Sequence, residues 1–182
     1  NAQLHQDVAR QLRVQQRQKE GGEQITSELE LERILPKVLH TAKELVGANS
    51  GFIALLDRKS RVLTYPYLDN LPDELAEVSV SSREGLSGDV VSCGQPLIVT
   101  NYSEYENAIP EFVEAGVKST IAVPIMSGDD LFGTLGLINL NQIHRFSQRD
   151  VATSCCVGRQ AGIAIKNAQL YENFRFYVHQ VT

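Results

Sequence analysis

Apolar positions along this chain fall into short runs and helical stripes. Ser119 to Met126 is rich in Ile and Val, and Leu131 to Leu140 is a second apolar run beyond Gly128, Asp129 and Asp130. Two such runs about an acidic glycine turn predict a β-hairpin. Gly133 and Gly136 inside the second run mark a bend or the close approach of another group. Next, Ser147 and Asp150 stand three apart ahead of an apolar-periodic run. That spacing predicts a helix start with Ser147 as cap and Asp150 bonding back to it.

Upstream of the hairpin, Leu31, Ile34, Leu35, Val38, Leu39, Ala42, Leu45 and Val46 recur at steps of three and four. They predict an amphipathic helix over about residues 28–46, ended by Gly47. Pro36 lies inside it. Either the helix starts at Ser27 and Pro36 kinks it, or it starts close to Leu35 with Pro36 in its first turn. Gly51 to Leu56 and Val62 to Tyr67 read as a hairpin about the polar turn 57–60, and residues 68–76 as surface loop or a helical turn. Val78 to Ser82 reads as a short strand, Gly85-Leu86-Ser87-Gly88 opens a short helix ending at Gly94, and Pro96 to Thr100 is another strand. Residues 101–116 form a loop with one irregular helix. This order predicts an α+β fold whose sheet of about six strands is mostly antiparallel, with its helices gathered on one side.

Both ends of the chain call for a second surface. Leu4, Val8 and Leu12 make a thin apolar stripe over residues 1–20, too narrow to hold a helix alone. The closing helix, from Ser147 to Gln180, would reach about 50 Å, more than one small domain needs. Gly158, Gly162 and Ile165 lie on one of its small-residue faces, and Phe174 and Tyr177 project from its end. A homodimer joined through Leu4, Val8, Leu12, Gly158, Gly162, Ile165, Phe174 and Tyr177 is the expectation.

Composition narrows the function classes. The 182 residues carry 22 acidic and 17 basic side chains, a net charge of -5, with no basic cluster to neutralise phosphates, so nucleic acid is not an expected partner. Three cysteines, two of them adjacent, form no disulfide framework and fit a reducing, cytoplasmic location. No run is long enough for a membrane span, so no membrane insertion is expected. The chain opens on Asn1 rather than Met, as a piece of a longer protein would.

Few side chains are grouped for chemistry. The four histidines are dispersed and form no metal motif, and no cofactor suggests itself. His5, His40 and His179 suit surface or interface positions; His144 sits beside any cleft between the last strand and the long helix and is a candidate ligand contact. The segment around Ser87 lacks the lysine of a phosphate cradle, yet its helix N-terminus offers free N–H groups. Cys93, at a helix C-terminus, is poorly placed for a thiolate, and Cys155 and Cys156 suit buried apolar roles. No catalytic residue is expected.

Several segments together resemble one family. These are Gly85 to Gly88, Val91, Gly94 to Val99, Gly116 to Ser119, Val123-Pro124-Ile125, Gly133 to Leu137, Phe146, Asp150 and Ile165 to Tyr171. In order and spacing they look like a GAF domain, the small-molecule sensory module of bacterial signalling proteins and cyclic-nucleotide phosphodiesterases, over residues 28–172. The resemblance implies a GAF-like, profilin-like sheet of six antiparallel strands, with a pocket on one face and dimerising helices on the other. It implies a signalling helix in residues 1–27 and a helix extension in 173–182 leading to a covalently linked output domain, such as a histidine kinase of a two-component system or a cyclic-di-GMP enzyme. The family pocket would fall to Ser87, Tyr102, Tyr105, Phe112, Asn139 and His144, with an unidentified small-molecule ligand. Cyclic-nucleotide-binding members carry an Asn-Lys, Phe, Asp-Glu signature. Asn139, Phe146 and Asp150 match it, but Leu140 replaces the lysine and Val151 the glutamate. No cysteine precedes a histidine as in bilin-binding members. The expected function is a non-catalytic sensor signalling through a helical dimer. Two alternatives are a ligand-free dimerising spacer and a cysteine-dependent free methionine sulfoxide reductase.

Overall fold

The structure, a computed structural model, describes residues 27–181. Helix α1 (Ser27–Val46) precedes strands β1 (Ser50–Asp57) and β2 (Val62–Asp69), a 3-10 turn (Asp73–Glu77) and the short strand β3 (Ser79–Ser81). Helix α2 (Gly85–Cys93), strand β4 (Leu97–Val99), a second 3-10 turn (Tyr102–Glu104) and helix α3 (Pro110–Glu114) follow. The hairpin of β5 (Val117–Ser127) and β6 (Asp130–Leu140) then leads to helix α4 (Gln148–Val181). The strands form one α+β sheet in the order β3-β2-β1-β6-β5-β4, every neighbouring pair antiparallel.

Local chemistry accounts for the helix ends. Asp150 N–H donates to Ser147 Oγ (3.1 Å) and Ser147 N–H donates to Asp150 Oδ2 (2.8 Å), a reciprocal capping box at the start of α4. Helix α1 begins at Ser27 and runs through Pro36. Pro36 is exposed, and so is Glu32, whose carbonyl loses its helical donor, so water can replace that bond. No helix among the described residues is long and apolar enough to cross a membrane.

Two apolar layers sandwich the sheet. Ile53, Ile121, Val123, Ile125, Leu135 and Leu137 point to one face and pack under α1 and α4. Phe52, Ala54, Leu63, Tyr65, Ala122 and Ile138 point to the other, under α2, α3 and the segment between them. The helices therefore lie on both faces, the long pair on one and the short pair on the other. The central strands are buried on both sides, and each apolar face needs its own cover.

Helix α4 lies unusually close to β5. A Cβ on Gly158 would stand 2.8 Å from the Pro124 carbonyl oxygen, and one on Gly162 would overlap the Met126 carbonyl. Ile165 is buried in the same layer. These three residues, expected on a dimer surface, face the chain's own sheet instead, because small side chains let the helix settle onto backbone. Phe174 and Tyr177 remain exposed at the outer end of α4. Leu4, Val8 and Leu12 lie outside the described residues.

Candidate functional site

The face under α2 and α3 holds the aromatic residues. On β2, alternation turns Leu63 and Tyr65 inward. On β6, Gly136 leaves room for the Phe52 ring, which a Cβ there would overlap. Phe112 from α3 completes a cluster, with ring centroids 4.9 Å from Tyr65 and 5.7 Å from Phe52, and Phe52 lies 5.2 Å from Tyr65. Edge-on and tilted pairs at such spacing are favourable beyond their burial.

Polar atoms on this face are threaded together. Thr134 Oγ1 donates to Ser87 Oγ (2.7 Å) in a fully buried bond, and Ser87 and Tyr65 line the same cavity. Tyr102 Oη accepts from Ile109 N–H (2.8 Å), which closes the segment before α3 on itself. Outside this layer, Asp89 of α2 is an anchor: Tyr105 Oη donates to Asp89 Oδ2, and Asn107 Nδ2 donates to Asp89 Oδ1 (3.2 Å). Asn107 also donates to the Arg83 carbonyl (2.9 Å). Burial pushes the Tyr65 phenol well up, and that of Tyr102 to about 12. Burial and then the Asp89 carboxylate raise that of Tyr105. All three phenols stay protonated and neutral at ordinary pH.

Little space is left. The cavity bounded by Phe52, Tyr65, Leu86, Ser87, Tyr102, Phe112, Val117, Thr120 and Ile138 measures about 10 Å³, enough for about one water molecule. Thr120 Oγ1, on its wall, is buried without a hydrogen-bond partner. A larger cleft of about 510 Å³ opens on the opposite side of the sheet, between α4 and the β5–β6 turn, lined by Pro124, Met126, Ser127, Gly128, Cys155, Arg159 and Ile163.

The sequence profile of the GAF domain matches residues 28–166 of this chain. The chain belongs to the GAF domain family. A dual 3',5'-cyclic-AMP and -GMP phosphodiesterase of Drosophila melanogaster is 26% identical over 166 residues, 81% of this chain. The chain spans 11% of that relative's length. Among solved structures, the GAF domain of a phosphoenolpyruvate-protein phosphotransferase from Coxiella burnetii superimposes with a TM-score of 0.75 at 18% identity, covering 95% of this chain and 99% of that one. The corresponding Acinetobacter domain gives 0.71 at 21% identity, covering 93% and 97%.

This GAF domain divides the residues expected at its pocket. Ser87, Tyr102 and Phe112 line the small cavity, and Tyr105 does not line it but stacks on Tyr102, ring centroids 6.1 Å apart. Asn139 and His144 do not join them. Asn139 shares the strand parity of Leu135 and Leu137, which puts it on the face under the long helices, where its Nδ2 is buried without a partner. His144 is exposed, with its ring 5.0 Å from Phe146, a member of the same helix-side layer. Tyr65, Thr134 and Asp89 belong to the site and were not expected there. Alternation of Leu63 and Tyr65 along β2 was the available signal for the first. Nothing in the spacing paired Thr134 with Ser87 or Asp89 with Tyr105. The acids Glu104, Glu106, Glu111 and Glu114 all face solvent.

The cysteines do not support the sulfoxide reductase alternative. Cys93 is exposed at the end of α2, whereas Cys155 and Cys156 lie on α4 across the sheet, where burial raises both thiols. The described residues contain no group of three or more His, Cys, Asp or Glu able to hold a metal.

Proposed function

We propose that this GAF domain is a non-catalytic regulatory module that acts through protein contacts, as a homodimer joined by its long helices and leading to a covalently linked output domain. The filled pocket face carries this reading. A cavity of about 10 Å³ is far below the roughly 300–1,000 Å³ of ordinary small-molecule sites, because the domain's own aromatic rings occupy the space. Helix α4 supplies the route outward: from Gln169 to Gln180 every residue but half-buried Arg175 is exposed, apolar Leu170, Phe174 and Tyr177 included. Residues 1–27 would lead into the dimer and residues 173–182 out of it. The free thiols fit a cytoplasmic setting. Sedimentation velocity at tens of micromolar tests the reading: a dimer is expected, and a monomer of 20.2 kDa would contradict it.

One observation favours a second reading, the small-molecule sensor. Thr120 Oγ1 faces the cavity with no partner, as a group reserved for a ligand would. Binding would require the segment 101–116 to lift, parting Tyr105 and Asn107 from Asp89 and withdrawing Phe112. The Drosophila relative makes cyclic AMP and cyclic GMP the first compounds to try, although Leu140 and Val151 stand where cyclic-nucleotide-binding members carry lysine and glutamate. A thermal-shift screen of these nucleotides, amino acids and aromatic acids decides it. A saturable rise in Tm favours the sensor, and no response favours the protein-contact module.

A further inference from the structure

The outer half of α4 carries a pattern that specifies how two copies would pair, an inference that rests on the homodimer reading above. Ile163, Leu170 and Tyr177 recur every seven residues, and Asn167 and Phe174 recur on the same period between them. Steps of four and three alternate along this line, the spacing of a two-stranded coiled-coil seam, in which Asn167 and Phe174 would take a and the other three d. The seam lies on the side of α4 opposite Ala161, Ile165 and Ala168, which are buried. It is open: Ile163, Leu170, Phe174 and Tyr177 are 45%, 54%, 65% and 68% exposed, and Asn167 is exposed with them. Ile163 also borders the 510 Å³ cleft, so the apolar surface continues from the domain body into the helix end.

We propose that the occupant of this seam is a second copy of this chain, parallel and in register, with Asn167 set against its own counterpart. An asparagine at an a position hydrogen-bonds across the seam only when it meets another asparagine. Reversed or slipped pairings press its amide against apolar side chains and leave it unsatisfied. The flanks permit self-pairing. The g positions are Lys166 and Asn173 and the e positions are Ala164, Tyr171 and Val178, so no like charges meet across the dimer. Lys166 is already matched within its own chain, its Nζ 2.6 Å from Asp130 Oδ2.

Disulfide trapping in the 182-residue chain tests this, with Cys93→Ser removing the exposed native thiol. Leu170→Cys, and independently Phe174→Cys, place a thiol on the seam, and Gln169→Cys places one beside it. Under mild oxidation both seam variants are expected to give covalent dimer at least about tenfold more readily than Gln169→Cys. Sedimentation velocity on the reduced samples separates two failures. A dimer in which the seam thiols do not link overturns the parallel register and leaves the homodimer standing. A 20.2 kDa monomer overturns both, with the seam covered by the chain's own residues 1–26 or by another protein.

Discussion

Gly162 of α4 meets the Met126 carbonyl of β5 so closely that no Cβ fits between them. The obstructing atom is strand backbone near the end of β5, still paired with Leu131 of β6, so it can move aside only by shifting the strand. Alanine gains roughly 1 kcal/mol over glycine as a helix former, but overpacking costs about 1–3 kcal/mol. Gly162→Ala is therefore expected to lower stability, read as a fall in the urea midpoint. An unchanged or higher midpoint would show that α4 does not seat on β5 in this way.

Phe112 is the ring that α3 contributes to the filled pocket. It is 3% exposed and touches both Phe52 and Tyr65. Phe112→Ala is expected to cost about 3–5 kcal/mol. Because the hole it leaves is lined mainly by apolar groups, benzene should then raise the Tm of the variant and not that of the parent chain.

Thr120 and Thr134 are both buried on the pocket face and should respond to valine in opposite ways. Thr134→Val breaks the bond to Ser87 and is expected to cost about 1 kcal/mol. Thr120→Val removes a hydroxyl with no partner and should be neutral or stabilising. A loss of stability at Thr120 would mean that a water or ligand engages it.

Asp69 fixes the acid limb of stability. Burial works against its ionisation, but Lys43 (2.9 Å) and then His40 (3.1 Å) outweigh it and hold the carboxyl below its ordinary 3.8. A carboxylate depressed in the folded state contributes fully above its unfolded value and loses that contribution as pH falls through the lower, folded one. Asp130, held down by Lys166 and Arg58, adds in the same direction. Stability should therefore decline below about pH 4. Asp69→Asn should lower stability at neutral pH and flatten that decline, measured by urea titration across the acid range.

Much of the fold is legible in the sequence because its signals are local. The stripe from Leu31 to Val46, the acidic glycine turn after Met126 and the Ser147–Asp150 pair each act within a few residues. The site is less legible because it depends on which face a strand position takes. A bulge between the pairs Ile53–Tyr67 and Leu55–Thr64 resets the parity of β2. The parity of β6 sends Asn139 beneath the long helices although it matches a family signature. Gly158 and Gly162 read as an open small-residue face, and only the position of β5 reveals what they touch. The aromatics of residues 101–116 are equally suited to greeting a ligand or filling the space of one, and packing decides between the two.

Native mass spectrometry of the chain purified without added ligand weighs assembly and contents together, and so tests at once whether the domain is a dimer and whether its pockets are empty. A dimer at twice the mass of the bare 20.2 kDa chain is expected, with nothing retained in either pocket. A stoichiometric small molecule released on unfolding, or a chain that remains monomeric at tens of micromolar, would contradict it.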